Sequence, residues 1–117
     1  MKIIDLVNKL GLEILSGNNG LDRTVSGGYT SDLLSDVIAN AEANNIWITL
    51  QTHKNVMAIA SLKDLSAVIL INDNKPEEDT REQSNSEGIP ILGTKEKAFE
   101  ISAKIYELLN NNSKVNL

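Results

Sequence analysis

Residues 46–71 read IWITLQTHKNVMAIASLKDLSAVILI. The stretch opens on Ile46-Trp47-Ile48-Thr49-Leu50, branched and aromatic residues that suit a pleated surface. It closes on Ala67-Val68-Ile69-Leu70-Ile71, apolar at every position, as a strand covered on both faces must be. Between them lies a polar turn, Gln51-Thr52-His53-Lys54, and then Asn55, which can cap a short helix through Leu62. Trp47 reads as core or subunit-interface packing.

The same alternation continues on both sides. Upstream, Ile3, Ile4, Val7 and Leu10 fall on one face of a helix over residues 1–10, with Gly11 as its stop. Leu12–Leu15 reads as a short strand ended by the turn-forming Gly17-Asn18-Asn19-Gly20. Asp22–Ser31 reads as a loop. Residues 31–43 read as the clearest helix, with Leu33, Leu34, Val37, Ile38 and Ala41 at the spacing of one buried face. Thr30 or Ser31 is placed to cap it, and Asp32 sits where the helix dipole favours an anion.

Downstream, Asn72-Asp73-Asn74-Lys75-Pro76 reads as a turn. Pro76 suits the start of a helix that carries Glu77, Glu78 and Asp79 in its first turn and runs to about Glu87. That helix has Thr80, Gln83 and Ser84 where an apolar stripe belongs, so loose packing is expected. Ile89-Pro90-Ile91-Leu92 reads as an edge strand, because Pro90 cannot donate to a ladder. Thr94 caps a last helix whose inner face is Ala98, Ile101, Ser102, Ile105, Leu108 and Leu109. Strands alternating with helices predict an α/β fold, a three-layer α/β/α single domain with a small, mostly parallel sheet. The domain is expected over residues 1–109, with 110–117 as a flexible tail.

Composition narrows the function classes. The chain has 117 residues, enough for one domain with a real core. It has no cysteine, which excludes disulfides and thiol chemistry and fits a reducing, cytoplasmic setting. The net charge is −5 and aromatic residues make up 3%. An acidic chain with Arg23 and Arg81 as its arginines, and few rings to stack on bases, is not built for nucleic acid. No apolar run reaches membrane-spanning length, and Asp5 and Asn8 interrupt any signal-peptide pattern at the start.

In open α/β sheets ligands collect outside the carboxyl ends of the strands. The segments that follow the predicted strands supply Asn18, Asn19, Asp22, Arg23 and Thr24, then Gln51, Thr52, His53 and Asn55, then Asn72 and Asn74, then Thr94. The first loop is the leading candidate. Gly27-Gly28 would let backbone amides approach a ligand, Thr30 and Ser31 open the next helix, and Arg23 offers a guanidinium fork to phosphate or carboxylate. The competing structural reading has Asp22 and Arg23 paired to pin the loop while the glycines permit a turn. The loop is expected at the carboxyl-end rim, facing Gln51-Thr52-His53.

Asp32 and Asp36, four apart on one predicted helical face, could share a cation, but no further ligand falls at metal-binding spacing and a solvated face is the simpler account. His53, the single histidine, follows a strand in a polar turn without an evident orienting partner. No catalytic residue, metal or cofactor is assigned. An enzymatic alternative, a small hydrolase, would have to use His53 or the Asp32/Asp36 pair.

Asp22-Arg23-Thr24, two residues, then Gly27-Gly28 resembles the signature of the DRTGG domain family. Gly28–Val37, Ile46-Trp47-Ile48-Thr49 and Gln51-Thr52-His53-Lys54-Asn55-Val56 are similar to that family's characteristic run. The resemblance implies the fold of the N-terminal domain of HPr kinase/phosphorylase and, more remotely, that of the Mur ligases, which meet a uridine nucleotide through an Asp-Ser-Arg-type motif. This chain lacks the serine and has no Walker loop, so neither uridine binding nor kinase activity carries over. The family implies a regulatory or dimer-forming module, found beside CBS domains in some pyrophosphatases and in phosphotransacetylases. The expected function is therefore a non-catalytic regulatory homodimer. The alternative is a sensor that binds a nucleotide or other anion at Asp22–Thr30. A protein partner is compatible with both.

Overall fold

The computed structural model describes the backbone of residues 1–114 and the side chains of residues 1–111. Its elements are α1 (Ile3–Leu10), β1 (Glu13–Ser16), β2 (Gly27–Thr30), α2 (Leu34–Asn40), β3 (Asn45–Thr49), α3 (Asn55–Leu62), β4 (Ala67–Leu70), α4 (Glu78–Glu87), β5 (Ile91–Gly93) and α5 (Ala98–Lys114). The expected α/β architecture holds: one five-stranded, mostly parallel sheet in the order β1-β5-β4-β3-β2, with helices on both faces.

Side-chain alternation along the strands builds two cores. Ile46, Ile48, Ala67, Ile69 and Leu92 face α1 and α5, meeting Ile3, Leu6, Ile101 and Ile105. Trp47, Val68, Leu70 and Ile91 face the opposite way, onto Val37, Val56, Met57 and Ala60 of α2 and α3. The strands from β2 to β5 step across the sheet in one direction, and crossovers of one hand put the connecting helices α2, α3 and α4 on one face. Among the described residues no helix is long and apolar enough to cross a membrane.

Four expectations need correction. First, Gly27–Thr30 is not loop. It is an edge strand parallel to β3, with Gly28 opposite Ile46 and Tyr29 opposite Trp47. Pairing with an apolar strand overrides the poor strand propensity of two glycines. Second, α2 begins at Leu34, so Asp32 lies outside it and does not share a helical face with Asp36.

Third, β1 runs antiparallel to β5, so the turn after β1 lies at the amino-terminal end of the parallel strands. Fourth, β5 is not an edge strand: it lies between β1 and β4, and Pro90 falls just before it, so its missing donor is not called on within the strand. α5 runs through Lys114, into the tail expected from residue 110. Residues 115–117 of that expected tail lie outside the described residues.

The polar helix α4 is also better anchored than its composition suggests. Hydrogen bonds replace the missing apolar stripe. Thr80 Oγ1 donates to the Thr52 carbonyl at 2.9 Å and Ser84 Oγ donates to the Ile89 carbonyl at 2.6 Å. Ser16 Oγ donates to Ser84 Oγ at 2.8 Å, and the Gly17 amide donates to Asn85 Oδ1 at 2.8 Å. Thr80, Ser84 and Ser16 are buried, so each of these bonds also relieves a desolvation cost.

Candidate functional site

The residues singled out in the sequence fall at three separate places. At the amino-terminal end of the sheet lie Asp22, Arg23 and Thr24. Arg23 does not pair with Asp22. Its Nε donates to the Gly88 carbonyl at 2.7 Å, Nη2 reaches the Glu87 carbonyl at 3.5 Å, and Nη1 stands 3.9 Å from Asp64. Thr24 bridges to Lys2 and accepts a hydrogen bond from Ser66 on its carbonyl. The guanidinium thus ties the loop before β2 to the turn before β5.

At the carboxyl-terminal end, Asp32 organises the rim. Its Oδ1 accepts from Thr49 Oγ1 at 2.8 Å and from the Leu50 amide at 2.7 Å, while Gln51 Nε2 donates to the Asp32 carbonyl at 2.9 Å. Ser31 Oγ accepts the Leu33 amide at 3.1 Å. His53 is exposed, and its Nδ1 accepts the Asn55 amide at 3.2 Å, closing the turn into α3. The Thr52 carbonyl takes the Thr80 hydroxyl and the Glu77 amide. Further along this rim, Glu13 at 2.7 Å and then Asp73 at 3.2 Å hold the Lys75 ammonium, and these partners raise its pKa above the ordinary lysine value.

The two ends are separated by the length of the strands, so the loop before β2 does not face Gln51-Thr52-His53. Among the described residues no group of three or more His, Asp or Glu gathers around a common point.

The third place is one the sequence reading missed. The glycines of β2 form one wall of an open groove of about 840 Å3, and α5 forms the other. Ser26, Gly27, Gly28 and Thr30 line the strand side; Ala98, Ser102, Ile105 and Leu109 line the helix side, with Ile48 below. Thr30 and Ser102 join hydroxyls at 2.8 Å across it. Phe99 and Tyr106 stand at its border, 82% and 71% exposed. Among the described residues, none that lines it is charged. The signal was present: Phe99 and Tyr106, seven apart, lie off the inner face of the last helix, where an apolar residue is not needed by the fold.

On the other side of β2, the Tyr29 hydroxyl donates to Asp36 Oδ1 at 2.7 Å, and Asn40 Nδ2 donates to the same oxygen at 2.8 Å. The Tyr29 bond is the main cause of two opposite shifts. It holds the Asp36 carboxyl below the usual aspartate value and raises the Tyr29 phenol.

A depressed carboxylate pKa stabilises the fold above the unfolded value, near pH 4, and the contribution is lost as pH falls through the folded value. In an NMR titration the Asp36 carboxyl is therefore expected to protonate below the ordinary aspartate value. Tyr29→Phe should move its midpoint back upward. An unchanged midpoint in that variant would remove the hydroxyl as the cause.

Compared with known proteins, no family model matches the chain and no curated protein matches it. Among solved structures, the chain is similar to the crystal structure of the CBS and DRTGG domains of the regulatory region of Clostridium perfringens pyrophosphatase, complexed with its activator diadenosine tetraphosphate. The TM-score is 0.68 at 11% identity, over 89% of this chain and 45% of that one. The two share a fold. This chain spans less than half of that regulatory region.

Proposed function

We infer that the chain is a non-catalytic, cytoplasmic regulatory module that works as a homodimer. The observation that carries this reading is the fold shared with a pyrophosphatase regulatory region over 89% of the chain. The Asp22-Arg23-Thr24…Gly27-Gly28 resemblance to the DRTGG family points the same way, with residues 1–109 as the domain. The residues that an enzymatic reading needs are engaged in turns: His53 Nδ1 closes the start of α3, and Asp32 holds the end of β3. Sedimentation equilibrium tests the assembly. A dimer is expected at tens of micromolar, and a chain that stays monomeric at high micromolar concentration sinks the reading.

A second reading is a sensor for a nucleotide or other anion, favoured because the similar regulatory region is bound to diadenosine tetraphosphate. Two places suit it: the Arg23 loop, and the rim at Thr52, His53 and Asn55. A thermal-shift panel of nucleotides tests it. At one hundred times the dissociation constant, linkage adds about 2.7 kcal/mol, or roughly 10 °C for a domain of this size. If the ligand sits at the loop, Arg23→Ala abolishes the ligand-induced shift, measured against the variant's own baseline. His53→Ala does so if it sits at the rim. A flat panel counts against ligand sensing and leaves the homodimer standing.

A further inference from the structure

The glycine pair in β2 is unexplained by the fold itself. A side chain at Gly20 would collide with the backbone: a Cβ there would lie 2.0 Å from the Gly88 carbonyl oxygen. Gly17 is as constrained, since its Cβ would meet Pro90 Cα at 2.6 Å. Gly27 and Gly28 are different. A Cβ at Gly27 would meet only Asn45 Nδ2 at 3.4 Å, and one at Gly28 only the Ile46 oxygen at 3.5 Å, with neither residue in a left-handed conformation. The molecule has room for a Cβ at both positions. What the glycines do is leave an edge strand bare, so that another backbone can come close.

We propose that a second copy of this chain docks along the β2 edge and α5. β2 pairs with its two-fold mate, and Phe99 and Tyr106 enter the partner's groove. This rests on the homodimer reading above and names the face that makes the dimer. Three observations select a second copy as the occupant.

The first is self-complementarity. A two-fold interface needs one patch that carries both a projection and its receptor. Here the exposed rings stand beside the groove that would receive them, and they are two of the chain's four aromatic residues.

The second is charge. Each copy carries −5, so two copies repel over most of their surfaces, and among the described residues the groove lining is free of charged side chains.

The third is area. Four rings with roughly 150 Å2 each to hide, plus the walls that receive them, come to on the order of 1,200 Å2. That reaches the lower end of stable interfaces, about 1,200–2,000 Å2.

The test is sedimentation equilibrium on the full chain and four variants. Phe99→Asp and Tyr106→Asp put charge on exposed positions and leave the core untouched, so circular dichroism and the monomer melting point should not move. Gly28→Glu adds a charged side chain to β2 beside the groove, its Cβ in ordinary contact with the Ile46 oxygen at 3.5 Å, and its monomer melting point is checked alongside. Leu62→Asp, at another exposed apolar residue on α3, is the control.

The dimer dissociation constant is expected to rise at least about 100-fold in the first three variants and to stay unchanged in the control. Amide exchange at residues 27–30 is expected to slow at least tenfold as the wild type dimerises. A dimer that survives all three substitutions overturns this face while leaving the homodimer reading intact. A wild-type monomer at high micromolar concentration overturns both. If the edge amides become protected only when an extended peptide is added to such a monomer, the face belongs to a peptide instead of a second copy.

Discussion

Gly20→Ala is expected to destabilise the protein by on the order of 3 kcal/mol or more, seen as a melting point at least about 12 °C lower and a matching loss in urea midpoint. The expectation is steric, with no contribution from backbone preference. Gly20 ends the 3₁₀ turn Asn18–Gly20 and is not in the left-handed region. An added methyl would lie 2.0 Å from the Gly88 oxygen and 2.8 Å from Pro90 Cδ. Both belong to the segment that turns out of α4 and into β5, so neither is a flexible side-chain tip that can swing aside.

Relief at Gly20 would have to separate the Gly17–Gly20 turn from residues 88–90. That movement also pulls on the Gly88 carbonyl, which Arg23 Nε holds at 2.7 Å. The loss therefore propagates into the shortest of the ties that the Arg23 side chain makes among the described residues.

Two companion substitutions separate this cause from a general intolerance of alanine for glycine. Gly11 has a φ of 63° and nothing within 4 Å, so Gly11→Ala carries backbone strain alone, about 1 kcal/mol. Gly28→Ala has neither problem and is expected to stay within about 0.5 kcal/mol of the wild type. Equal losses at positions 11, 20 and 28 would contradict the steric account.

These glycines also show what sequence can and cannot disclose. The centre of the fold was legible because residues 46–71 state their burial directly: Trp47 and Val68 alternate with Ile46, Ile48 and Ile69, and the structure puts the two sets on opposite cores. β2 was not legible, since nothing in Gly27-Gly28-Tyr29-Thr30 has the strand's period. It is a strand because Ile46–Ile48 offers it a ladder.

The direction of β1 could have been read. Only residues 17–26 separate β1 from β2, too few for the crossover of a dozen or more residues that a parallel connection requires. Taking β1 as parallel moved its loop to the wrong end of the sheet and joined Arg23 to Gln51-Thr52-His53 in one imagined site. The off-face rings Phe99 and Tyr106 marked one wall of the real groove, but the other wall, Gly27–Thr30, lies some seventy residues away and is open because Gly27 and Gly28 carry no side chain, so local patterning could not join the two.

Trp47→Ala is expected to cost about 4 kcal/mol, enough to leave a marginal domain partly unfolded at 37 °C. Trp47 has no exposed surface and sits in the middle of the α2/α3-side core, in register with Tyr29 on β2 and Val68 on β4. Its loss opens a cavity that a rigid sheet cannot collapse around.

The indole does a second job: Nε1 donates to the Ser31 carbonyl at 2.8 Å, and Ser31 is the residue that follows β2. Trp47→Phe separates the two roles. It keeps most of the packing and drops the hydrogen bond, so its expected cost is about 1–2 kcal/mol, with the larger share felt at the end of β2. If β2 is the dimer edge, Trp47→Phe should weaken association while the monomer remains folded. Amide exchange at residues 27–31 should quicken before that of Ala67–Leu70. A Trp47→Phe chain that loses stability evenly across the sheet, with unchanged dimerisation, would mean that Trp47 serves the core alone.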